Sequence, residues 1–149
     1  MKILMVCLGN ICRSPLAHGI LASKVPSSVV VDSAGTSGYH EGALPDSRSI
    51  TVAHQHGIDI TSQRSRQFTV KDFDVFDIIY VMDDHNYSDI LSLARNSSDK
   101  LKVKLILNEV KDTKNLNVPD PYYGGKQGFT NVYKMLEKAC TNIASNLIL

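Results

Sequence analysis

The stretch Lys2-Ile3-Leu4-Met5-Val6-Cys7-Leu8-Gly9-Asn10-Ile11-Cys12-Arg13-Ser14-Pro15 sets the reading of the whole chain. Ile3 to Val6 is a short apolar run of the kind that forms a buried strand, and it leads straight into Cys7. Gly9-Asn10 breaks the run, and both residue types tolerate left-handed backbone angles. Arg13 follows, and Ser14-Pro15 reads as the cap and first-turn residue of a helix. The segment therefore places a thiol, a concave run of backbone amides, a planar guanidinium and the positive end of a helix dipole beside one another. Each of these favours an anion. The arrangement points to a phosphate-binding loop, Leu8 to Ser14, built around a thiolate.

Outward from that loop, strand-like and helix-like segments alternate. Ile3–Cys7, Val29–Asp32, Ile78–Met82 and Val103–Leu107 are short, rich in branched residues and strand-like. Between them the sequence predicts a helix behind Ser14 carrying Leu16, Ile20 and Leu21. A second runs from about Asp46 to His56 and ends at Gly57, and a third covers Asn86 to Arg95 before the polar turn Asn96-Ser97-Ser98-Asp99. Thr69, with Asp72 three residues on, signals an extra turn over Thr69–Phe73. A last helix from about Gln127 shows Val132, Met135, Leu136, Ala139, Cys140 and Ile143 at helical spacing. Such alternation argues for a parallel sheet covered on both faces, with ligands at the carboxyl ends of the strands, where Cys7–Ser14 lies.

Composition bounds the function. The 149 residues fit one domain; hydrophobic residues make up 43% and charged residues 21%, and the formal net charge is +1. Bulk charge thus gives no reason to expect nucleic acid or an anionic membrane as partner, so an anion site must be local. No apolar stretch has the length of a membrane span, and Ile3–Val6 is too short for a signal-peptide core. Three cysteines without an export signal point to a reducing cytoplasm and to thiols, with Cys140 as a packing residue. His54 and His56 face different sides of a helix, and Asp72, Asp74 and Asp77 lack the glycine and closing glutamate of a calcium loop. No metal or cofactor is expected.

The chemistry follows from the side chains. A thiol attacks only once ionised, and helix N-termini and cations favour the ionised form. The donors that stabilise a thiolate also suit the equatorial oxygens of a phosphoryl group in transfer. Arg13 can bind two oxygens with paired bonds, which lysine cannot. A leaving alkoxide or phenoxide needs a proton, and Asp120 in Val118-Pro119-Asp120-Pro121-Tyr122-Tyr123-Gly124-Gly125 is the best-placed carboxyl, on a loop stiffened by prolines. Tyr122 and Tyr123 suit the walls of a slot for a flat aromatic group.

Cys7-Leu8-Gly9-Asn10-Ile11-Cys12-Arg13-Ser14-Pro15, Asp32-Ser33-Ala34-Gly35-Thr36 and Asp120-Pro121-Tyr122-Tyr123 together resemble the low-molecular-weight protein tyrosine phosphatases. The likeness includes Asp46-x-Arg48, His56-Gly57-Ile58 and Met82-Asp83 and runs nearly the full length. The expected fold is a single doubly wound α/β domain over residues 1–149, with a four-stranded parallel sheet in the order 2-1-3-4 and helices on both faces. The resemblance implies metal-independent hydrolysis of a phosphotyrosine protein or small aryl phosphate, with inorganic phosphate or another oxyanion as product or inhibitor. It makes Cys7 the nucleophile, Arg13 the phosphate ligand and Asp120 the general acid and then base. It assigns Asn10, Ser14 and Ser33 to a network shaping the loop, Asp83 to orienting Arg13, and Leu8, Tyr39 and Tyr122, with Tyr123 beside it, to the pocket. Cys12 is implied to be a redox partner of Cys7.

Many members of that family carry a histidine where this chain has Ser62-Gln63; Gln63 can still donate a hydrogen bond, so retuned loop stability is expected. Two relatives of the same fold class compete on substrate. Arsenate reduction needs further cysteines, and Met82-Asp83-Asp84-His85-Asn86 has none. Protein-arginine phosphatases tend to carry threonine at the position of Ile11 and to lack the paired tyrosines.

Overall fold

The computed structural model describes residues 1–148. Strands β1 (Lys2–Cys7), β2 (Val30–Gly35), β3 (Ile78–Val81) and β4 (Val103–Leu105) form one parallel sheet in the order β2-β1-β3-β4, as expected. The helices are α1 (Arg13–Ala22), α2 (Ser47–Gln55), α3 (Asp72–Val75), α4 (Asp84–Leu93), α5 (Ser97–Lys102) and α6 (Lys126–Ile148). Among the described residues, no helix is long and apolar enough to cross a membrane.

Central strand β1 is covered on both faces, which is why its residues read as a continuous apolar run. The two-residue period sends Ile3, Met5 and Cys7 into the cluster packed by α1, α2 and α6. Leu4 and Val6 enter the opposite cluster with Phe73, Phe76 and Ile90. The stripe on α6 is Phe129, Val132, Tyr133, Leu136, Ala139, Cys140 and Ile143, all buried. Met135, expected on that stripe, is 37% exposed; Tyr133 takes the buried place and stacks on His56 with ring centroids 3.9 Å apart.

Several boundaries differ from expectation. Strand β2 runs on to Gly35, which stands opposite Cys7 in the β1 register while its N–H and C=O pair with Arg66 and Phe68 on the other side. Helix α4 starts two residues early, since Asp83 caps it by accepting the Asn86 N–H at 2.8 Å. The predicted polar turn at Asn96–Asp99 is instead the start of α5, where Asn96 accepts the Asp99 N–H at 2.9 Å. Strand β4 stops at Leu105 and continues as a 3-10 turn, Ile106–Glu109. The extra turn after Thr69 lies over Asp72–Val75, with the Asp72 carboxylate accepting the Thr69 N–H at 2.9 Å. The remaining members of the acidic set pair with Arg95 (Asp74) and with the Lys2 N–H (Asp77).

Candidate active site

The loop between β1 and α1 is held from outside by its carbonyls. Cys7 O accepts from Thr36 N–H at 2.9 Å, Leu8 O from Ser37 N–H at 2.9 Å, and Ile11 O from Asp46 N–H at 2.8 Å. Gly9 O accepts from the Ser65 hydroxyl at 3.0 Å and Cys12 O from the Ser49 hydroxyl at 3.3 Å. In a trans peptide the C=O of one residue and the N–H of the next point in opposite directions. Outward carbonyls at these five positions therefore turn the N–H groups of Leu8, Gly9, Asn10, Cys12 and Arg13 toward the hollow of the loop.

Helix α1 adds to that set. Its N-cap position is Cys12, which supplies no side-chain cap, so the first-turn N–H groups remain available. The expectation that Ser14 caps the helix is corrected here. Ser14 sits inside the first turn, completely buried, and its Oγ lies 3.0 Å from Cys7 Sγ while accepting a hydrogen bond from Asn10 Nδ2 at 2.8 Å. Of the two residues suited to left-handed angles, only Asn10 adopts them, at φ 56°. Its side chain is fixed at both ends, since Oδ1 accepts the Arg66 N–H at 3.0 Å.

Arg13 is almost wholly buried. Its Nη1 donates to Asp83 Oδ2 at 2.6 Å and to Val118 O at 2.9 Å, and its Nη2 lies 3.8 Å from Asp120 Oδ2. Asp83 thus serves two elements, one oxygen capping α4 and the other fixing the guanidinium. The Asp120 segment is tied to the end of β3 by Val118 N–H to Met82 O at 2.8 Å and by Asp84 N–H to Asn117 Oδ1 at 2.7 Å. Within the segment, Asp120 Oδ1 accepts the Tyr122 N–H at 3.0 Å.

These groups open onto one pocket of about 510 Å³ lined by the loop residues Cys7, Leu8, Gly9, Ile11, Cys12 and Arg13, with Asp120, Tyr39, Tyr122 and Tyr123 on its walls. Ser37 and His40, not foreseen from sequence, line it as well. Tyr122 and Tyr123 meet edge to face at 5.0 Å. Asn10 and Ser14 stand behind the wall, buried. Ser33 does not reach them: its hydroxyl pairs with His18 Nδ1 at 3.2 Å, one turn further along α1 than Ser14. Gln63 likewise donates to Pro15 O at 3.1 Å and not to Asn10 or Ser14. Burial raises the Cys12 thiol to about 12, with nearby Asp46 acting in the same direction, so Cys12 is held protonated.

Two supports escaped the sequence reading. A Cβ at Gly35 would lie 2.7 Å from Leu8 O and 3.1 Å from Asn10 N, so only glycine lets β2 approach the loop this closely. Arg66 pairs with Asp72 at 3.1 Å and Asp32 at 3.3 Å, which fixes the backbone N–H that holds Asn10. Both rest on contacts far apart in sequence.

A strand ending in a cysteine, an inward amide ring and a buried arginine facing a carboxylate define an oxyanion-binding α/β domain. The family model described as low molecular weight phosphotyrosine protein phosphatase matches residues 2–148, and the chain belongs to that family of phosphoric monoester hydrolases. A relative from Synechocystis sp. is 43% identical over 152 residues, covering 99% of this chain and 96% of its own length. The crystal structure of a protein tyrosine phosphatase from Entamoeba histolytica, 39% identical, superposes with a TM-score of 0.92 over 99% of this chain and 97% of that one. A Drosophila arginine phosphatase, 30% identical, also reaches 0.92, over 99% of this chain and 98% of its own.

Proposed function

We propose that this chain hydrolyses phosphotyrosine monoesters through a phosphocysteine on Cys7. The observation that carries the reading is the meeting, in one pocket, of the Cys7 sulfur, the Arg13 guanidinium and the Asp120 carboxyl, with the Asp120 and Arg13 side chains 3.8 Å apart. In the first step the Cys7 thiolate attacks phosphorus. The bond from phosphorus to the aryl oxygen breaks, and that oxygen takes the Asp120 proton. In the second, Asp120 removes a proton from water, which attacks phosphorus and returns the electron pair to sulfur, releasing inorganic phosphate. Ser14 assists at the sulfur: its oxygen accepts from Asn10, and its hydrogen, within 3.5 Å of Ala34 O, is given instead to the nearer Cys7 sulfur at 3.0 Å once that sulfur is a thiolate. Arg13 and the inward amides hold the three equatorial oxygens throughout.

The arginine phosphatase likeness means that the backbone alone does not select the substrate. Ile11 and the paired tyrosines favour a flat aromatic ester. Turnover should be insensitive to EDTA and far faster on phosphotyrosine than on phosphoarginine; the reverse order would transfer the assignment to arginine.

The reading extends to regulation and place. We place the chain in a reducing cytoplasm, on the low cysteine content of its sequence. Peroxide would convert Cys7 to the sulfenic acid, and Cys12, giving up its proton to the departing hydroxyl as its sulfur attacks, forms the disulfide and releases water. Peptide mapping after peroxide and then thiol treatment should find a reversible Cys7–Cys12 link. Mapping that finds only irreversible Cys7 acids would reject it.

A further inference from the structure

The Asp120 segment is anchored at both ends, and its second anchor is Arg48. On the near side, Val118, Asn117 and Arg13 tie it to β3, α4 and the loop, as described above. On the far side, Arg48 Nη1 donates to Gly124 O at 3.3 Å, and the Arg48 guanidinium carbon lies 5.4 Å from the centre of the Tyr122 ring and 4.5 Å from that of Phe129 on α6. The guanidinium is itself held: Nε donates to Asp46 Oδ1 and Nη2 to Asp46 Oδ2, both at 3.0 Å, while the Arg48 backbone N–H donates to Asp46 Oδ1 at 2.9 Å. These bonds keep the Asp46 carboxyl below its ordinary range. Asp46 in turn donates its backbone N–H to Ile11 O, on the rim of the phosphate-binding loop.

We infer that Arg48 is a positioning residue that fixes the Asp120 carboxyl relative to the loop, through a chain running from Ile11 via Asp46 and Arg48 to Tyr122 and Gly124. The inference rests on Asp120 being the proton donor. The segment carries two adjacent glycines after Tyr123, and between Asp120 and the start of α6 Arg48 holds it at Gly124 O and at the Tyr122 ring. The role needs a planar fork, because one face of the group stacks on rings while its edge bonds a carboxylate and a carbonyl. Lysine has neither the flat face nor the fork that makes these contacts at once.

The test is the dependence of kcat/KM on the leaving group in R48Q and R48K, compared with D120N. Phenyl phosphate needs the proton more than para-nitrophenyl phosphate, whose phenol is more acidic. Because a misplacement of ~1 Å costs on the order of 10²-fold, R48Q should slow phenyl phosphate by about 10- to 100-fold and para-nitrophenyl phosphate by only about 3-fold. R48K should behave like R48Q, inhibition by inorganic phosphate should be unchanged, and R48Q should add no further leaving-group dependence to D120N. Position 48 keeps the backbone N–H that bonds Asp46, so the α2 cap survives both changes, and thermal melts of R48Q and R48K report whether the fold is intact. Equal losses on both substrates, rescue by lysine, or weakened phosphate inhibition would each overturn the inference. A D120N enzyme with wild-type leaving-group dependence would remove the acid assignment and the inference together, whereas a D120N effect without an R48Q effect would remove only the inference.

Discussion

Replacing Asp83 by asparagine tests how the buried arginine is held. Arg13 and Asp83 side chains are 3% and 22% exposed, and their contact is 2.6 Å. Asparagine keeps the shape and the oxygen that caps α4, but it puts an amide in place of the carboxylate facing Arg13. If the oxygen stays on the Asn86 N–H, the amide NH2 confronts the guanidinium donor to donor. Hydrogen bonds to charged groups contribute roughly 1.5–3 kcal/mol, and the partial exposure of Asp83 lets water offset some of the loss, so about 2 kcal/mol of destabilisation is expected. Asp83→Ala also removes the cap, worth about 1 kcal/mol more. Urea denaturation of wild type, D83N and D83A should therefore give three separate midpoints in that order. Inhibition by inorganic phosphate should weaken about tenfold in D83N, since 1.4 kcal/mol of lost orientation corresponds to that factor. Equal stability of wild type and D83N, or equal losses in both variants, would refute the two-element role of this carboxylate.

Gly35→Ala places a Cβ 2.7 Å from Leu8 O and 3.0 Å from Ser37 O, both backbone atoms, so the loop must shift. Overpacking of this kind costs about 1–3 kcal/mol; kcat/KM should fall at least tenfold, and wild-type activity would contradict the close approach. Burial chiefly holds His18 below its ordinary 6.5, with Asp32 and Gln63 opposing that shift. The unfolded chain therefore takes up the proton first as pH falls through 6.5, and the contribution of neutral His18 to stability is lost from there downward. Wild type should lose more stability than His18→Asn between about pH 7 and 5; parallel pH profiles in urea would contradict this.

The strand, loop and helix around Cys7 were legible because every signal there is local: an apolar run, a break at Gly9-Asn10, and a proline whose missing N–H falls in the first turn. The sheet order and the meeting of Cys7, Arg13 and Asp120 accord with the family resemblance. What the sequence concealed depends on contacts that only the folded backbone makes, some between near neighbours and some between residues distant in the chain. Ser14 reads as a cap until the fold brings Asn10 and Cys7 against its hydroxyl. Asn96-Ser97-Ser98-Asp99 has the composition of a turn and of a helix start alike, and the Arg95 and Asp99 pairing makes it the latter. Asp83 moved the start of α4 because a residue recruited by Arg13 also caps. Gln63, placed by homology near the loop network, lies instead against Pro15 O and His18, and no local pattern marks that register.

The central claim concerns where the phosphoryl group resides between the two steps. Rapid acid quenching during turnover of para-nitrophenyl phosphate, followed by peptide mass mapping, should find the phosphoryl adduct on the Cys7 sulfur and none in Cys7→Ser, which should also be inactive. An adduct on any other side chain, or sustained turnover by Cys7→Ser, would contradict the account.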